Sequence, residues 1–378
     1  RFSPYEFEYS ANNPNYDIKG YDRWGNFKPN VGDCDPQGNG LLNTEFPYTP
    51  QERIPSNAPE FDADRPDRTW ADWYAEAWSL TAIQLPSGGS LEIDYEADDY
   101  AYVQDKRAMQ MFQVTGMGSE KPDATNSNNI DPTSGDELYE ASTPLNGGAG
   151  TVDDVLFFEL PEPLAKADFP TTADARPHIV REYQLKAGNL FYFKFLVDLA
   201  KDGQYDYVPG FATIENFGVV DNAGTHYTHA YIEMEKVKRQ NNFGVSPPDV
   251  SPIAKAAWQF ARIHNPKLAF GLPDPTSSSV SQTIKAMANS NVVKQAVDML
   301  NGPNGTLQRK NYGRKYVQGK SWVRLGVPGL KKKGGGARVA RIAVNDGWDQ
   351  MVPGQNDFEY GQEYDYTLMD GRSSGVIV

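Results

Sequence analysis

The chain has 378 residues, a formal net charge of −14 and a single cysteine, Cys34. That length allows one large or two ordinary domains. The charge disfavours nucleic acid and anionic lipid surfaces as partners, and one cysteine excludes an internal disulfide or a cysteine-built zinc or iron–sulfur site.

Gly (34), Pro (27), Tyr (21) and Phe (18) are abundant while hydrophobic residues stop at 39%. This mix suits many short strands joined by turns, not a helical bundle. Residues 1–90 are turn-rich, with Asn12-Asn-Pro14, Asp33-Cys-Asp-Pro36, Phe46-Pro-Tyr-Thr-Pro50 and Asp62-Ala-Asp-Arg-Pro66, and end in an aromatic helical stretch from Trp70 to Leu80. From Leu91 the pattern alternates strictly: Leu91, Ile93, Tyr95 and Ala97 against Glu92, Asp94, Glu96 and Asp98. The apolar parity then switches to Tyr100 and Tyr102, which predicts a β-bulge at Asp98-Asp99. Residues 119–150 are polar and read as a long surface loop. Strands are predicted over 152–160, 188–200, 205–220 and 225–238, with Phe191, Phe193, Phe195, Val197 and Leu199 forming one apolar row.

Helical signals follow. Ser251-Pro252 is a good N-cap and first-turn pair, and Ile253, Ala257, Phe260, Ala261 and His264 share one face. A second helix is predicted over 281–300, stopped by Gly302-Pro303. Strand patterns return at 321–325, 337–344 and 358–368. The chain thus divides into turn-rich loops and short strands (1–90), long antiparallel strands (91–240), a two-helix insertion (241–320) and returning strands (321–378).

The motifs carry no catalytic constellation, no cofactor site and no metal site. Glu92, Asp94, Glu96, Asp98 and Asp99 read as the polar face of one strand, since glycoside hydrolysis needs two carboxylates facing each other across a sugar. Asp33-x-Asp35-x-Gln37-Gly38 resembles the start of a calcium loop, but Thr44 stands where the bidentate glutamate belongs. His226 and His229 are three apart on a predicted strand, which points them to opposite faces. From Gly302 to Val344 the chain holds eleven basic residues, including Arg314, Lys315, Lys331, Lys332, Lys333, Arg338 and Arg341, and no acidic one. A solvated basic face beside an acidic neighbour is the expectation, with an anion-binding patch as the alternative. Gly334-Gly335-Gly336 reads as a flexible basic tip, because it lacks the Gly-Lys-Ser/Thr of a phosphate loop.

Several longer words are more specific. Leu85-Pro-Ser-Gly-Gly-Ser-Leu-Glu-Ile-Asp-Tyr-Glu-Ala-Asp-Asp-Tyr-Ala-Tyr-Val-Gln-Asp-Lys-Arg-Ala108, Tyr21-Asp-Arg-Trp-Gly-Asn26, Ser251-Pro-Ile-Ala-Lys-Ala-Ala-Trp-Gln-Phe-Ala-Arg262 and Asn345-Asp-Gly-Trp-Asp349 occur in this order. Together with Tyr360-Gly-Gln-Glu-Tyr-Asp-Tyr366 they resemble the SprA/Sov family, the outer-membrane translocon of type 9 secretion in Bacteroidetes. The resemblance implies a segment of a very large transmembrane antiparallel β-barrel with two helical insertions, mainly β and α+β overall. It implies a channel that exports folded cargo and supports gliding motility, not an enzyme. It also implies as partners the rest of the barrel, a PorV-type barrel, a plug, cargo with C-terminal signal domains and outer-membrane lipid, with no nucleic acid. On this view the Phe191 to Leu199 row faces lipid, and the isolated segment, ending on apolar Gly375-Val-Ile-Val378, is a piece of a longer wall. Trp70, Trp73 and Trp78 beside acidic residues suggest the alternative, a surface glycan-binding or glycan-cleaving β-protein of a Gram-negative bacterium; an adhesin fragment is a third possibility.

Overall fold

The alternating stretches are strands, and the chain is mainly β with a few short helices. The structure is a computed structural model that describes residues 4–22, 24–29, 51, 53–122, 130–140, 152–183, 189–199, 203–239, 248–265, 302–348, 352, 354, 356 and 358–377. The first elements are β1 (Glu6–Tyr9), α1 (Trp70–Ala75), β2 (Leu80–Gln84), β3 (Ser90–Tyr100), β4 (Tyr102–Val103), β5 (Lys106–Arg107) and β6 (Met109–Gly118). Next come β7 (Val155–Ala165), α2 (Thr172–Tyr183), β8 (Leu190–Asp198), β9 (Tyr205–Val219) and β10 (His226–Met234). They are followed by β11 (Val237–Lys238), β12 (Asp249–Val250), α3 (Pro252–His264), β13 (Trp322–Gly326), β14 (Lys332–Asn345), β15 (Glu359–Glu363) and β16 (Val376–Ile377). These fold as two compact units, Met111–Leu325 on one hand and Arg1–Gln110 with Gly326–Val378 on the other.

In the Met111–Leu325 unit the strands close into a six-stranded antiparallel barrel in the order β10-β7-β6-β13-β8-β9. The apolar row on β8 points into it. Phe191, Phe193, Phe195 and Val197 are buried with Val208, Ala212 and Ile214 of β9 and Val323 and Leu325 of β13. The expectation that this row faces lipid is therefore corrected. A ring of six strands is narrow enough for its own side chains to fill, so the row has an internal partner. Gly210 belongs to that fit, because a Cβ there would stand 2.4 Å from the Phe193 ring.

Helix α3 begins where Ser251-Pro252 predicts, and Asn265 caps its end. Its buried face is Ile253, Ala254, Ala257, Trp258 and Ala261; Phe260 lies at the rim against His264, which is exposed. Tyr312 gathers this end of the core, its carbonyl accepting from Trp258 Nε1–H at 2.9 Å and from the Tyr139 hydroxyl at 2.7 Å. Leu138 and Tyr139 are buried, so part of the predicted surface loop is core. The Leu138 N–H to Arg314 carbonyl bond and the Tyr139–Val152 bridge hold it there, and a stretch this short shows no periodicity.

Helix α2 is not predicted. Pro177 lies inside it, which argues against a helix. The available signal was Thr171-x-x-Asp174: Asp174 Oδ2 accepts from Thr171 N–H and Oγ1–H, and Asp174 N–H donates back to Thr171 Oγ1. Gly302 adopts φ 64, a conformation that interrupts a right-handed helix, but Pro303 then leads a helical stretch through residue 309. The helix predicted over 281–300 lies outside the described residues.

At the rim of this unit Asp154 is buried beside Lys236, at 3.4 Å. Its neighbour Asp153 is pushed up to about 6 by burial, then by the carboxylates of Glu140, Glu137 and Asp154. The folded state thus holds this proton more tightly than the unfolded chain. The stabilisation is complete below about pH 4, is lost as pH rises through about 6, and does not return above. Asp153→Asn is expected to raise stability by about 1 kcal/mol at pH 7 and to change little at pH 4, read from urea midpoints. Equal gains at both pH values would show that ionisation of the buried Asp153 is not the cause.

Candidate functional site

The other unit carries a five-stranded antiparallel sheet in the order β1-β2-β3-β14-β15. Residues directly opposite in an antiparallel pair share a face, so the registers sort its side chains. Phe7 pairs with Ile83, Ile83 with Leu91, Leu91 with Val344, and Val344 with Tyr360. This apolar row crosses all five strands from edge to edge. Behind it lie Ile93 with Ile342, then Tyr95 with Val339, then Ala97 with Ala337. Yet Ile83, Leu91, Ile93, Ile342 and Val344 are only half-buried. Phe7 and Tyr360, at the two edges, are 57% and 63% exposed. Among the described residues this half-open apolar face is a candidate interaction surface.

The opposite face is charged. It shows Glu8 and Glu92 in one row, Asp94, Arg341 and Glu363 in the next, and Glu96 with Arg338 beyond. Arg338 bonds Glu96 through Nε at 2.7 Å and Asp99 through a terminal nitrogen at 2.8 Å, and its guanidinium stacks 4.3 Å from the Tyr366 ring. Arg341 pairs with Glu359 and lies 3.6 Å from Asp94. The acidic strand and the basic stretch are therefore adjacent strands of one sheet, and these bases face the acidic neighbours expected of them. In the other unit Arg314 pairs with Glu137 and Lys315 with Asp136.

The irregularity predicted at Asp98-Asp99 is present, and its extra residues are on the partner strand. Lys333 faces Asp99 and Ala337 faces Ala97, so Gly334, Gly335 and Gly336 together oppose the single residue Asp98. Their φ values of 144, 101 and 153 are open only to glycine. The three glycines are thus a bulge inside β14, not a flexible tip. The bulge turns Asp99 onto the face of Glu96, which is why one arginine reaches two residues three apart. Helix α1 closes the gap in the ladder: Asp72 accepts from the Ala97 N–H at 2.9 Å, from Thr69 N–H and Oγ1–H, and from Lys333. Burial opposes its ionisation, but Lys333 and these donors outweigh burial and hold the carboxyl below its ordinary value.

The aromatic helix is shorter than predicted. It stops at Ala75, and Trp78 takes a left-handed φ of 59 with its ring against Phe27. Trp70 stacks on Tyr74, and Arg68 lies over Trp73. The carboxylates beside them are committed: Asp72 as above, and Glu76 to Ser10 and Arg68. His226 and His229 lie on β10 opposite Ala165 and Glu159, and no group of metal-ligating side chains forms among the described residues. Asp33, Asp35 and Cys34 lie outside those residues.

No family model matches the chain, and neither a curated protein nor a solved structure matches it. Within the described helices, none is long and apolar enough to cross a membrane, which says nothing of strands.

Proposed function

We propose that the chain is a segment of an outer-membrane protein-conducting channel that exports folded cargo, as its resemblance to the SprA/Sov family implies. The observation that carries this is the edge-to-edge apolar row Phe7–Ile83–Leu91–Val344–Tyr360 on a sheet whose other face is charged. A channel wall needs that division, lipid on one side and water on the other. Strand β3, with 11 residues, is about 36 Å long and rises roughly 25 Å when tilted by about 45°. The filled barrel of Met111–Leu325 has no bore for a client, and we assign it the role of a folded body attached to the channel chain. A PorV-type barrel, a plug and cargo with C-terminal signal domains belong to the same proposal.

Val344→Arg tests the wall. An arginine facing the bilayer midplane costs about 2–4 kcal/mol, whereas one facing water costs almost nothing. The expected result is loss of membrane assembly and of cargo export for Val344→Arg, with Glu92→Arg, on the exposed charged face, tolerated. As a second measure, single cysteines in a Cys34→Ser background would carry a fluorophore. Positions 83, 91, 93 and 342 should be quenched from lipid, and positions 82, 92 and 94 from water. Uniform quenching from water would sink the proposal.

A further inference from the structure

We draw no further inference here: the strongest candidate, the pair of buried lysines Lys28 and Lys332 in the unit that carries the five-stranded sheet, rests only on the downward pull of burial on their ammonium pKa values, with nothing among the described residues to say what the pair would bind.

Discussion

Trp258→Ala is expected to lower the stability of the Met111–Leu325 unit by about 3–5 kcal/mol. The indole is fully buried, packs edge-on against Tyr139 at 5.3 Å, and spends its only polar hydrogen on the Tyr312 carbonyl. Truncation opens a cavity and also leaves that carbonyl sharing one donor fewer. Gly313, at φ 62, lets the chain pass close to this helix, since a Cβ there would stand 3.1 Å from Ala257 and 3.6 Å from the indole. Trp258→Phe should recover part of the loss by refilling volume without the hydrogen bond. Urea midpoints for the three proteins measure this, with the slope of the transition unchanged. A loss below about 1 kcal/mol for the alanine variant would mean that α3 is not packed on the barrel as described.

The second large effect is at Arg338. Arg338→Met is expected to destabilise the sheet unit by about 3 kcal/mol, since removing one partner of a buried ion pair leaves the other uncompensated. The side chain of Asp99 is 1% exposed and that of Glu96 26%, so most of the cost falls on Asp99. Lys331, 3.8 Å from Asp99, offsets a part. If the loss is electrostatic, Asp99→Asn added to Arg338→Met should restore more than half of it. If the double variant is no more stable than the single one, stacking on Tyr366 and not charge is what Arg338 supplies.

Much of the fold was legible. The strict alternation from Leu91 to Asp98 specified a two-faced strand, the parity change at Asp98-Asp99 located a bulge, and Ser251-Pro252 marked the start of α3. Each of these signals is local: a period of two, one inserted residue, a cap. The extra glycines of the bulge were misread because their role depends on which strand lies opposite. Helix α2 was missed because Pro177 outweighs a capping box when no packing is known. Leu138 and Tyr139 were missed because a short irregular stretch becomes core only through its contacts with residues 152 and 314.

The candidate surface shows where local signals stop. Leu91, Ile93 and Tyr95 on β3 and Phe191, Phe193 and Phe195 on β8 are alike as patterns, each an apolar row alternating with other residues. The sequence alone determined that both strands have two unlike faces, and that acidic and basic stretches would balance each other. Only the tertiary structure decided that the β8 row fills a closed ring while the β3 row lies half-open on a sheet that ends at β1 and β15 among the described residues. The physical reason is that side-chain periodicity is a property of one strand, whereas closure depends on how many strands pair before the ring shuts, and that number is set by contacts far apart in the chain.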